Sequence, residues 1–110
     1  MDLIRKHCVP CEGGTPPFSE AEEDQYLGKV SNWSLIRDTE HKLRKQFTFK
    51  DFKETMKFVN KVADIAEAEQ HHPDIKIVYN KVQIELFTHA VGGLSENDFI
   101  LAAKIDELKS

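Results

Sequence analysis

Three of the chain's five histidines, His71, His72 and His89, fall in the stretch from Glu67 to Asp98. Imidazole, with an unperturbed pKa of about 6.5, is the one side chain that ordinarily gives and takes protons near neutral pH. Three of them gathered by a fold would make an acid–base site, one ring delivering a proton while another removes one. His71 and His72 are adjacent and followed by Pro73. Proline disfavours a helical backbone at the residue before it, which predicts the pair at the frayed carboxyl end of a helix. Glu67 stands four residues before His71, so a helix reaching that far would set carboxylate and imidazole on one face and orient the ring.

The elements that must hold these residues follow from capping signals and periodicity. Residues 1–18 read as an irregular lead-in and 19–110 as a single domain. Ser19 with Glu22 is a reciprocal capping pattern and opens a helix ending near Val30. Trp33 and Leu35 predict a short strand, and Leu43, Lys45, Phe47 and Phe49 a clearer one at alternate positions. Asp51 with Glu54 repeats the capping pattern and begins the longest helix, running to about Gln70. Its apolar stripe is expected along Phe52, Met56, Val59, Ala63 and Ala66, widened by Phe58, Val62 and Ile65.

Ile75, Ile77 and Val78, then Val82, Ile84 and Leu86, predict two further strands joined around Tyr79 to Lys81. If alternation persists, His89 shares the face of Gln83, Glu85 and Phe87, away from the core. Gly92 and Gly93 punctuate before Ser95 and Asp98 cap a last helix carrying Phe99, Leu101, Ala102, Ile105 and Leu108. Helix, two strands, helix, two strands, helix describes an α+β domain, with a four-stranded antiparallel sheet and three helices packed on one face. The last helix is apolar over more than one stripe, a surplus that points to a helix-mediated oligomer interface.

Composition excludes several classes. A chain of 110 residues, 40% hydrophobic, suits one domain with a modest core. Fifteen Lys and Arg against nineteen Asp and Glu give a net charge of −4 without a basic run, so nucleic acid is not expected as a direct ligand. No apolar run approaches the roughly 20 residues that span a bilayer, and MDLIRKH has charges where a signal peptide needs its apolar stretch. A soluble, cytoplasmic protein is expected. Cys8 and Cys11 form one CxxC with no second pair to complete a zinc site, and glycines and prolines follow it. It reads as a flexible lead-in with reduced thiols.

From Glu67 onward the chain resembles the signature of the pterin-4a-carbinolamine dehydratase family. The likeness rests on Glu67, three residues, His71-His72-Pro73, then Tyr79, Asn80, Thr88-His89 and Asp98, with Phe47, Phe49, Asp51 and Phe52 matching more loosely upstream. The dipeptide Asp74-Ile75 replaces the tryptophan that animal members carry near that point, a form closer to bacterial and plant relatives. The resemblance implies removal of water from a 4a-hydroxytetrahydropterin, giving quinonoid dihydropterin, in tetrahydrobiopterin-type recycling after aromatic amino acid hydroxylation. It implies no metal or redox cofactor, and assembly as a homodimer or homotetramer. By resemblance His71 and His89 would be the acid–base pair and His72 would hold or polarise the pterin. Asp98 would orient or sit near His89, Glu67 would orient His71, and Pro73 completes the motif.

Each residue also has a plain structural explanation. Glu67 suits a solvated helix face, His71 and His72 a helix end, His89 a strand end, Tyr79 strand packing, and Asp98 the capping of the last helix. A different class of function also fits: animal relatives bind a homeodomain transcription factor, and the wide apolar face of the last helix would serve an interaction module. A histidine metal site fits less well, because adjacent His71 and His72 would point apart unless the backbone turned sharply.

Overall fold

Ser19 opens the first helix as its spacing to Glu22 predicts. In the computed structural model, which describes residues 3–8 and 16–109, the Ser19 hydroxyl accepts the Glu22 N–H at 3.2 Å, and the Glu22 carboxylate accepts the Ser19 N–H at 2.9 Å. This helix, α1, spans Glu20–Leu27, short of the expected Val30. Strands β1 (Ser34–Ile36) and β2 (Lys42–Thr48) form the first hairpin, with Leu35 opposite Leu43. Glu23 is buried beneath it and accepts from His41 Nδ1 at 2.8 Å and Arg37 Nε at 3.0 Å, tying α1 to the hairpin.

Asp51 accepts the Glu54 N–H at 2.9 Å and starts α2, Phe52–Glu69. Strands β3 (Asp74–Val78) and β4 (Lys81–Leu86) make the second hairpin around Tyr79, whose φ of 51° is left-handed. Helix α3 covers Glu96–Lys109. The four strands are antiparallel in the order β1-β2-β4-β3, which confirms the α+β architecture expected from the pattern.

The register sets the two faces. Leu43 opposite Leu86 and Phe47 opposite Val82 put the large apolar side chains on the helix-covered face, where all four are buried. Arg44 opposite Glu85, and Gln46 opposite Gln83, form a polar outer face. Lys45 shares the inner parity of Leu43 and Phe47, and its charge is satisfied there. Its ammonium donates to Asp106 at 2.6 Å and to the Ser31 carbonyl at 2.7 Å, and lies 4.8 Å from the Phe47 ring centre. Among the described residues no helix is long and apolar enough to cross a membrane.

Three expectations need correction. The buried line of α2 runs through Thr55, Phe58, Val62 and Ala66, whereas Phe52 and Ala63 are exposed. The residues expected only to widen the stripe are its centre. On α3, Phe99, Ile100, Leu101, Ala102, Ala103 and Ile105 are all buried within the single chain. Its apolar width is used by the sheet, by α2, by α1 through Tyr26, whose ring lies 5.4 Å from that of Phe99, and by the amino-terminal residues. Among the described residues the apolar width of α3 is therefore covered within the single chain and is not in itself an argument for an oligomer interface. Finally, part of the lead-in is ordered against the domain: Leu3–Arg5 form a 3-10 turn, and Leu3 is buried in the core. Cys11 lies outside the described residues.

Candidate active site

The end of α2 decides where the two adjacent histidines go. Gln70 takes a left-handed conformation, φ 53° and ψ 40°, and its N–H returns to the carbonyls of Ala66 and Glu67. This αL cap ends the helix at Glu69. His71 therefore leaves the helical face, and the four-residue spacing from Glu67 does not bring the two side chains together. Glu67 faces His72 instead, with 3.4 Å from His72 Nε2 to its carboxylate and both side chains mostly exposed, at 57% and 74%.

His71 turns toward the start of α3. Its Nε2–H donates to Asp98 Oδ1 at 2.6 Å, and the Asp98 side chain is fully buried. The other oxygen, Oδ2, accepts the Thr88 hydroxyl at 2.8 Å and the Ser95 N–H at 3.0 Å. The Ser95 hydroxyl in turn lies 2.9 Å from Thr88 Oγ1. Asp98 thus caps α3, as its place after Ser95 predicts, and at the same time orients a histidine. That histidine is His71; toward His89, which the resemblance implied Asp98 would orient or sit near, Asp98 makes its hydrogen bond to Thr88, the residue before it.

His89 lies beyond the last residue of β4, Leu86, and opens a 3-10 turn, His89–Val91. Strand alternation does not extend to it, yet it is exposed as expected. Its ring centre is 4.2 Å from that of Phe87 at an interplanar angle of 59°. Turn and helix are locked by the chain around Gly92, at φ 71°, and by a bridge between Thr88 and Gly93.

A cavity of about 510 Å³ brings together His71, His72, Thr88 and His89, with Phe87 and Asn97 beside them. That size suits a small-molecule ligand. Asp98 stands behind His71, out of the cavity wall, while Glu67 and Pro73 do not line it. Because Asp98 accepts from Nε2–H, the opposite nitrogen of His71, Nδ1, is the one left to exchange a proton. A proton taken up there creates a charge beside a buried carboxylate.

Among the wall residues that sequence reasoning did not assign to the site are Cys8 and Glu69. Burial alone would raise the Glu69 carboxyl pKa. Hydrogen bonds from the Cys8 N–H and from His7 outweigh that, Lys104 adds its charge, and the group ends below the ordinary carboxylate value. The only sequence signal was an acidic residue in the last helical turn, where the helix dipole disfavours it.

Comparison with known proteins bears on the family of the chain. Residues 16–108 match the family model described as pterin 4 alpha carbinolamine dehydratase. A curated protein of Nitrosospira multiformis, provisionally named as such a dehydratase, is 53% identical over 97% of this chain and 92% of its own length. One from Alkaliphilus metalliredigens, named likewise, is 44% identical over 99% and 97%. A crystal structure from Brucella melitensis, titled transcriptional coactivator/pterin dehydratase, superposes with a TM-score of 0.81 at 30% identity, covering 86% of this chain and 99% of that one. A pterin dehydratase-like protein identified as a RuBisCO assembly factor in the α-carboxysome gives 0.61 at 25% identity, over 71% and 89%. On the family model and the near full-length relatives, the chain belongs to the pterin 4 alpha carbinolamine dehydratase family.

Proposed function

We propose that this chain dehydrates a 4a-hydroxytetrahydropterin to quinonoid dihydropterin by histidine acid–base catalysis. The observation that carries the reading is the His71–Asp98 pair at 2.6 Å, set at a cavity that also receives His72 and His89. The reaction breaks the bond from C4a to its hydroxyl and the N5–H bond, forms the C4a=N5 double bond and releases water. It needs one group to protonate the leaving hydroxyl and another to accept the N5 proton. With its Nε2–H held by Asp98, His71 presents Nδ1 as the base. His89, exposed and tilted against the Phe87 ring, is suited to the acid, and the two protonation states are restored through solvent. His72, paired loosely with Glu67, holds or polarises the pterin in this reading.

We assign the reaction to tetrahydrobiopterin-type recycling after aromatic amino acid hydroxylation in the cytoplasm, with the chain acting as a homodimer or homotetramer. Those assignments draw on the family. The competing reading, a pure interaction module, loses its structural argument because the apolar residues of α3 are buried within the chain.

The test is the dehydration of freshly generated 4a-hydroxytetrahydropterin followed by ultraviolet absorbance. The parent protein should accelerate it, and His71→Ala and His89→Ala should each lose about a hundredfold to ten-thousandfold while remaining folded. Unchanged rates in both variants would overturn the assignment.

A further inference from the structure

Glu69 stands where helix electrostatics disfavours a carboxylate, at the last position of α2. Its side chain is only 7% exposed, yet three donors converge on it from outside the histidine network. The Cys8 N–H lies at 2.7 Å, His7 Nδ1 at 2.9 Å and the Lys104 ammonium at 3.7 Å. Lys104 also donates to the Ile4 carbonyl at 2.7 Å, Lys6 pairs with Glu96 at 2.7 Å, and Leu3 is buried in the core. The segment Leu3–Cys8 is therefore tied along its length to α2 and α3. It ends at the cavity, where the Cys8 thiol lies 3.6 Å from the Asn97 carbonyl and Cys8 forms part of the wall.

A bicyclic ring held against the imidazoles leaves the rest of the cavity to whatever the ring carries. Cys8 is small and half-buried, a surface against which the carbon chain of a ring substituent can lie with its polar groups turned outward. We propose that Leu3–Cys8 is a strap that completes the pocket, that Glu69 latches it, and that Cys8 touches the substituent on the pterin ring and so helps set which pterin is accepted. The inference rests on the pterin dehydratase reading. Glu69 acts through Cys8 and is a positioning residue.

Two measurements test it. The first needs no substrate: in the full chain carrying Cys11→Ser, Cys8 is the sole thiol, and its alkylation by iodoacetamide reports docking of the strap. Adding Glu69→Ala removes an acceptor of charge-assisted hydrogen bonds and should speed alkylation by about tenfold or more. An unchanged rate in a folded protein would overturn the latch. The second compares 4a-hydroxytetrahydropterins bearing a methyl or a dihydroxypropyl group at C6. Cys8→Leu should raise KM for the longer substituent by about tenfold and much less for the methyl, with kcat changed by less than about twofold, and Cys8→Ala should narrow the discrimination. Equal effects on both pterins, or none, with the parent active, would overturn the wall. A parent inert toward both would overturn the dehydratase reading and with it the role of Cys8 toward a pterin, while the alkylation rates decide the latch separately.

Discussion

Asp98→Asn isolates what the buried carboxylate does, because it changes charge and donor pattern but hardly size. In the parent, Oδ1 faces the His71 Nε2–H and Oδ2 faces two donors, the Thr88 hydroxyl and the Ser95 N–H. An asparagine has one oxygen and one NH2 to fill those places. The Ser95 N–H cannot reverse, so the amide oxygen stays on that side and the NH2 meets His71. A neutral imidazole then has to accept at Nε2 and carry its proton on Nδ1, the nitrogen assigned to the base. The same kind of exchange in a serine protease triad costs about ten-thousandfold. Here the expected loss in kcat is about a hundredfold to ten-thousandfold, roughly 3–5 kcal/mol in barrier. Losing the charged acceptor should also lower stability by about 1.5–3 kcal/mol. Stopped-flow absorbance would give the rate, nitrogen NMR the tautomer, and urea unfolding the stability. A folded D98N protein that turns over within about threefold of the parent would refute the argument from tautomer to rate.

Glu67→Ala should change kcat/KM by less than about fivefold, because Glu67 is 74% exposed and meets only His72, also exposed, and such pairs contribute little; a hundredfold loss would restore it to the site. Leu101→Ala should lower unfolding stability by about 2–5 kcal/mol at every protein concentration, since Leu101 is fully buried within one chain; a loss seen only on dilution would instead place that side of α3 in an interface. The strap should respond to acid. Glu69 has a folded pKa below its ordinary value of 4.5, so its stabilisation is complete above that value and is lost as pH falls through the lower one. The Cys8 amide resonance should therefore titrate with a midpoint under 4.5, and one at or above it would contradict the latch.

Much of the fold was legible because its signals are local. Capping at Ser19 and Asp51 fixed two helix starts, and strict alternation through Val82, Ile84 and Leu86 fixed a strand and its buried face. The site was legible as a set of residues, less so as a set of pairs. The Glu67–His71 expectation needed the helix to run two residues past Glu69, and the left-handed Gln70 ends it first. The partner of His71 lies across the fold on α3, and no sequence spacing reports that contact. The strap was hidden by its neighbours: the glycines and prolines that follow Cys11 masked anchors at Leu3, Lys6 and Cys8. The width of α3 was visible, but periodicity cannot say whether a second apolar face is met by the same chain or another.

Asp98 serves two masters, the first turn of α3 and the imidazole of His71. A descendant that abandoned its chemistry and kept the scaffold for another use would still be selected to retain that carboxylate, because α3 and Thr88 depend on it. His89 has no such insurance, being exposed and outside every strand and α-helix. Among chains of this architecture, an intact aspartate is therefore weak testimony of activity. The histidine after Thr88 is the residue whose drift would first betray a retired enzyme.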